Sequence, residues 1–206
     1  LTVSMPHSVT AATGIDAMTH AIESYVTTKR NTISQMFARE AWSLLSAAFP
    51  IVLETPSDVE ARGRMQLGAF LAGAAIENSM LGAAHAAANP LTAMFGTTHG
   101  AAVGLMMPHV IRWNSTVAST SYRELALTAG WASSDTSANS AAGILADRFS
   151  EILTMAGMPT RLTDAMGNQL PDTVFKQLAS EAAMQWTGTF NPRSMNQDAF
   201  EQLYRN

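Results

Sequence analysis

Cysteine is absent from this 206-residue chain, so it holds no disulfide, no thiolate nucleophile and no thiolate-bound metal, and a reducing, cytoplasmic setting is the default expectation. Charge is scarce as well: 14% of residues are charged, and 12 Lys and Arg against 16 Asp and Glu leave a formal net charge of −4 with no basic run. Nucleic acid is therefore not an expected partner. Long apolar runs are missing too. The longest, Leu67 to Ile76, is closed by Glu77, Asn78 and Ser79, well short of the roughly 20 residues that span a bilayer; it reads as a buried helix, and no membrane is expected. The amino end, LTVSMPHSVT, has neither the basic nor the apolar region of a signal peptide, and it begins with Leu rather than Met, which suggests that something has been removed from the front. No alternating β-branched run, internal repeat, H-E-x-x-H, G-x-S-x-G, Walker A lysine or G-x-G-x-x-G occurs, leaving the common hydrolase and phosphate-cradling motifs unsupported.

What remains is a 47% apolar composition, enough for a substantial core, and helical periodicity almost throughout. An all-α fold is expected, as a single domain over residues 1–206. Pro6 to about Val26 reads as a helix with a break at Gly14, and Thr27 to Thr32 as a polar turn. Ile33, Phe37, Ala41, Leu44, Leu45 and Ala48 mark a core-facing helix that should stop at Pro50. Ser57 and Glu60 form a capping-box pattern for a helix running toward Ile76, whose Gly and Ala residues suit close packing in the middle of a bundle. A kink or stop is expected at Pro90, a turn at Gly96 to Thr98, and a helix from Thr98 to about Trp113. Later segments read as scaffold: a short helix at Tyr122 to Ala129, a Ser/Ala-rich loop at Ala132 to Ser140, and helices at Ala141 to Ala156, Pro171 to Met184 and Asn196 to Tyr204.

Chemistry concentrates between Asn78 and His109, where three of the five histidines lie among small apolar residues. A buried imidazole needs partners for both nitrogens, and a divalent cation satisfies the unprotonated one strongly. His85 and His99 are candidate ligands. Two histidines rarely hold a metal alone, and GIDAMTHAIES supplies Asp16 and His20 four residues apart, on one helix face with Cβ atoms about 5–6 Å apart. The candidate centre is thus Asp16, His20, His85 and His99, an N₃O donor set compatible with Fe²⁺, Zn²⁺, Co²⁺ or Ni²⁺. Glu23 returns to the same face seven residues after Asp16; it reads equally as an acceptor behind a ligating imidazole and as a solvated glutamate. His7 reads as a surface or capping residue, His109 as a bystander, and methionines such as Met94, Met106 and Met107 as core filler.

Three stretches, TGIDAMTHAIESYVT (13–27), HAAANPLTAMFGTTHGAAVGLMMPHVIRWN (85–114) and NPRSMNQDAF near the carboxyl end, resemble the iron-containing, or group III, alcohol dehydrogenase family. The resemblance implies a divalent metal, iron or sometimes zinc, on Asp16, His20, His85 and His99. It implies the all-helical second domain of a dehydroquinate synthase-like fold, whose α/β nucleotide-binding partner domain, with NAD or NADP, is not in this sequence. The expected activity is metal-assisted hydride transfer between a small alcohol and an aldehyde or ketone, with the isolated chain inactive and a homo-oligomer allowed. Family members place a proton-relaying histidine four residues after the third ligand; Asn89 stands there. As the candidate catalytic residue its amide can hydrogen-bond a substrate or ribose hydroxyl but does not titrate near neutrality, so the relay is lost, taken over by water, or absent in this branch. Related glycerol dehydrogenases and maleylacetate reductases were weighed, and the full quartet argues against metal-free members. The reading from another class is a helical structural or interaction domain with a vestigial metal site.

Overall fold

The computed structural model describes residues 2–163 and 170–206, and every regular element among them is helical. After a 3₁₀ turn at Thr2–Ser4, the helices are α1 (His7–Val26), α2 (Thr32–Glu54), α3 (Val59–Glu77), α4 (Ala83–Phe95), α5 (His99–Thr128), α6 (Ala138–Met155), α7 (Asp172–Ala183) and, beyond a second 3₁₀ turn at Trp186–Phe190, α8 (Gln197–Arg205). α1 packs against α2, α3 and α5; α5 packs against α4 and α6; α4 packs in turn on α7 and the second 3₁₀ turn. The core therefore gathers around α1 and α5, with Ile15, Met18 and Ile22 meeting Trp42, Leu45, Phe49, Val103, Leu105 and Phe149. Trp42, fully buried, donates its indole N–H to the Leu125 carbonyl at 2.8 Å, tying α2 to the far end of α5.

Several expected breaks are absent. α1 runs unbroken through Gly14, which is needed for packing: a Cβ there would sit 2.2 Å from Phe49 Cε2. Pro50 and Pro90 lie inside helices, as does Pro108, which was expected within one. A proline removes one backbone donor and crowds the carbonyl four residues back, but buried residues on both sides of each one (Phe49 and Val52, Ala88 and Leu91, Met107 and Val110) keep the helix on course. The expected helices at Thr98 to Trp113 and Tyr122 to Ala129 are accordingly one helix, α5, and α6 begins inside the expected Ser/Ala loop, at Ala138.

Three further expectations are corrected. The start of α3 is capped by Asp58, whose side chain accepts from Ala61 N at 2.9 Å, while Glu60 pairs with Arg64 instead of closing a box with Ser57. α3 is also not a buried helix. Leu67 and Phe70 are 51% and 72% exposed, and only its Ala61, Arg62, Gly68, Ala72 and Ala75 side is covered. On α2 the buried face is Ala38, Ala41, Trp42, Leu45 and Phe49, which leaves Ile33 outside. By length and composition α2 is apolar enough to cross a membrane, but that face lies in the protein core.

Candidate metal centre

Asp16 and His20 sit one turn apart on α1, as their spacing requires, with Asp16 Oδ1 3.4 Å from His20 Nε2. His85, in the first turn of α4, reaches the same oxygen with Nε2 at 3.3 Å, and His99, the first residue of α5, does so at 3.6 Å. All four residues singled out from the sequence are thus brought together. The donor atoms of Asp16, His20 and His85 all lie within 4.8 Å of one another; His99 stands at the edge of this trio, its ring centroid 5.3 Å from that of His85. The His20 and His85 rings stack at 4.8 Å. Burial grades across the cluster, from His85 at 5% side-chain exposure through Asp16 and His20 to His99 at 44%, so the His99 side opens to solvent.

Backbone approach makes this convergence feasible. Directly after His99, Gly100 lies against Ala12 of α1 so closely that a Cβ would come within 2.0 Å of the Ala12 carbonyl oxygen, and Gly104 one turn on faces Ile15 in the same manner. The space that a side chain at position 100 would need is filled by the α1 backbone. On the other side, Glu23 is 2% exposed, which disposes of the solvated alternative. It accepts hydrogen bonds from Gly82 N at 3.0 Å and Ala84 N at 2.7 Å and lies 2.7 Å from His85 Nδ1.

A cation suits the arrangement. Asp16 Oδ1 and His85 Nε2 are both buried, yet neither finds a hydrogen-bond partner among the described residues, because their 3.3 Å contact is not aligned for one. Metal bonds of about 2.0–2.2 Å to nitrogen and oxygen in tetrahedral geometry space donors about 3.3–3.6 Å apart, the range of the three contacts to Asp16 Oδ1. Electrostatics agree. Burial opposes charge on His85, but Glu23 and Asp16 overcome it and push the imidazole up to about 9; burial drives His20 down to about 4 despite Asp16. Burial alone would raise the Asp16 carboxyl, but the surrounding imidazoles hold it below its usual range. The centre therefore attracts one positive charge without favouring three imidazolium ions.

The remaining candidates fall elsewhere. His7 is exposed at the start of α1, and His109 lies ten residues, about 15 Å, along α5 from His99. Asn89 follows His85 by one turn of α4, and its Nδ2 donates to Gln185 Oε1 at 2.9 Å. Sequence reasoning missed the polar bracket behind the site. Asn191 accepts from Ala83 N at 3.4 Å and from Asn114 Nδ2 at 2.9 Å, and returns a bond to Asn114 Oδ1 at 2.7 Å. Arg193 stacks over Trp113 at 3.6 Å. The one signal for this bracket was the NPR stretch, which names neither partner.

An all-helical scaffold that gathers a carboxylate and three imidazoles from three helices defines a domain suited to a divalent cation. The chain belongs to the Fe-containing alcohol dehydrogenase family, matching its C-terminal part over residues 10–206. It is 29% identical to a 1,3-propanediol dehydrogenase of Citrobacter freundii over 205 residues, covering 100% of this chain and 52% of that protein. A crystal structure of 1,3-propanediol oxidoreductase superposes with a TM-score of 0.93 at 28% identity, over 98% of this chain and 52% of that one. A sulfoacetaldehyde reductase from Bifidobacterium kashiwanohense, in complex with NAD+, superposes with a TM-score of 0.86 at 26% identity, over 98% and 51%. The chain spans about half the length of the curated relatives it matches.

Proposed function

We propose that residues 1–206 are the helical metal-binding domain of an NAD(P)-dependent alcohol dehydrogenase, and that Asp16, His20, His85 and His99 hold its divalent cation, iron(II) by family and zinc by donor set. The observation that carries this reading is the approach of three Nε2 atoms to one Asp16 oxygen at 3.3–3.6 Å. When bound, such a cation supplies Lewis acidity toward the oxygen of an alcohol, aldehyde or ketone. The chain's own residues then divide the remaining work. Buried His85 anchors the dry side of the centre, while half-exposed His99 borders the open side by which a small substrate enters. Nicotinamide approaches from that side, carried on a nucleotide-binding domain outside these 206 residues, which is why this chain alone is expected to be inactive. The NAD+ complex of the sulfoacetaldehyde reductase, matched over half its length, supports that division. Asn89 orients a substrate or ribose hydroxyl by hydrogen bonding and leaves proton movement to water, since an amide does not titrate near neutrality.

Elemental analysis and titration with Fe²⁺ (anaerobic) or Zn²⁺ test the reading on the chain as it stands. Near-stoichiometric metal is expected, with loss in His85→Ala and His99→Ala, and turnover in the complete two-domain protein should fall with it. A wild-type chain that takes up no metal after reconstitution would overturn the proposal in favour of a helical interaction domain.

A further inference from the structure

We infer that Glu23 is the positioning residue of this centre: its carboxylate selects which nitrogen of His85 is offered to the cation while holding the first turn of α4 in place. The inference rests on the metal-binding reading above. The first turn of a helix leaves unpaired backbone N–H groups, and the N-cap of α4 is Gly82, which has no side chain to take one. Glu23 does so from a different helix. Its Oε2 accepts from Gly82 N at 3.0 Å and its Oε1 from Ala84 N at 2.7 Å, where the positive end of the helix dipole also favours an anion. The same Oε2 lies 2.7 Å from His85 Nδ1. An ionised carboxylate only accepts, so Nδ1 carries a hydrogen in every protonation state, and Nε2, on the Asp16 side, is the nitrogen whose lone pair a cation takes in place of a proton. One helix thus holds both nitrogens of an imidazole on its neighbour, Asp16 at Nε2 and Glu23, two turns on, at Nδ1. Among the described residues no Lys or Arg pairs with Glu23, and its ion-pair partner is His85 itself. Glycine at 82 follows from this arrangement, because a Cβ there would meet Glu23 Oε1 at 2.9 Å and Asn191 Oδ1 at 3.3 Å.

Glu23→Gln keeps the shape but offers one oxygen where three N–H groups converge on two, so either the α4 turn or Nδ1 loses its acceptor. Removing such a partner typically weakens metal affinity about 10–100-fold. In a Zn²⁺ titration we expect a loss of that size for Glu23→Gln, with an intermediate value for Glu23→Asp, and a shifted visible spectrum of the Co²⁺-loaded variant. Wild-type binding with undiminished affinity in Glu23→Gln overturns this inference and leaves the metal reading standing; a wild type that binds nothing removes both. Should Glu23→Gln fail to fold, ¹⁵N NMR of the Zn²⁺-loaded wild type decides. His85 protonated at Nδ1 and metallated at Nε2 supports the assignment, and the reverse overturns it.

Discussion

Gly100→Ala tests how the cluster is assembled without touching a proposed ligand. The added Cβ would lie 2.0 Å from the Ala12 oxygen and 2.6 Å from the Ala12 carbonyl carbon, both backbone atoms that no change of rotamer can move. Ordinary contact begins at 3.4 Å, so α5 has to back away from α1 at this crossing. Overpacking of a tight interior costs about 1–3 kcal/mol. Replacing a helical glycine by alanine returns about 0.5–1 kcal/mol, but a rigid obstacle places this case at the costly end, for a net loss of about 2–2.5 kcal/mol. The damage should also reach the metal, since His99 precedes Gly100 and Asp16 lies one turn beyond Ala12, so the 3.6 Å contact between them stretches. Urea unfolding of the chelated protein and Zn²⁺ titration read the two effects separately: a lower midpoint, and affinity weakened at least about tenfold, the lower end for losing the support of a ligand. Gly143→Ala on α6 is the control. Its Cβ would meet nothing within 4 Å, so it should be neutral or stabilise by up to about 1 kcal/mol. A Gly100→Ala protein with wild-type stability and affinity would refute the claim that this crossing sets the site.

Gly14→Ala should destabilise by about 1–3 kcal/mol through its collision with the Phe49 ring, and much less in a Phe49→Leu background, a coupling that a double-mutant cycle of urea midpoints measures. Without metal, the stability that His85 contributes is full below pH 6.5 and lost as pH rises through about 9, whereas that from neutral His20 is full above pH 6.5 and lost as pH falls toward about 4. The urea midpoint of the chelated chain should therefore peak near pH 6.5, and a steady rise from pH 6.5 to 9 would contradict the His85 environment. Because the donors come from three helices, zinc at 100 times its Kd should stabilise the chain by about 2.7 kcal/mol; a shortfall would mean that the unfolded chain binds too, through the neighbouring Asp16 and His20.

Helical class was legible as a periodic signal and the four clustered side chains as two local ones: Asp16 and His20 share a helix face by spacing alone, and His85 and His99 stand out among alanines and glycines. Prolines misled. Pro50 read as a stop and Pro90 as a kink or stop because their cost is local, while the burial of Val52 or Leu91 that outweighs it is a tertiary property. The Leu67 to Ile76 run read as buried because apolar content does not say which side of a helix finds a neighbour, and Phe70 did not. Glu23 stayed ambiguous for the same reason. Its spacing put it on the correct face of α1, but whether that face met water or the start of α4 depended on Gly82 and Asn191, distant in sequence and without a motif of their own.

Such dependence on distant glycines explains where the centre is vulnerable. Asp16, His20 and Glu23 are fixed to one another by a single helix, so their mutual geometry survives any small shift of neighbouring elements. His85 and His99 arrive on α4 and α5, and their positions hang on Gly82, Gly100 and Gly104, where backbone meets side chain or backbone with no room for a methyl group. Side-chain movement cannot absorb an error here, because imidazole and aspartate, unlike long flexible side chains, have little reach. Under the proposed function, then, metal affinity is a property of how closely three helices approach, and it is complete within this chain. On that same proposal, a nucleotide-binding domain would have only to deliver its nicotinamide to the His99 side, the one part of the cluster left substantially open.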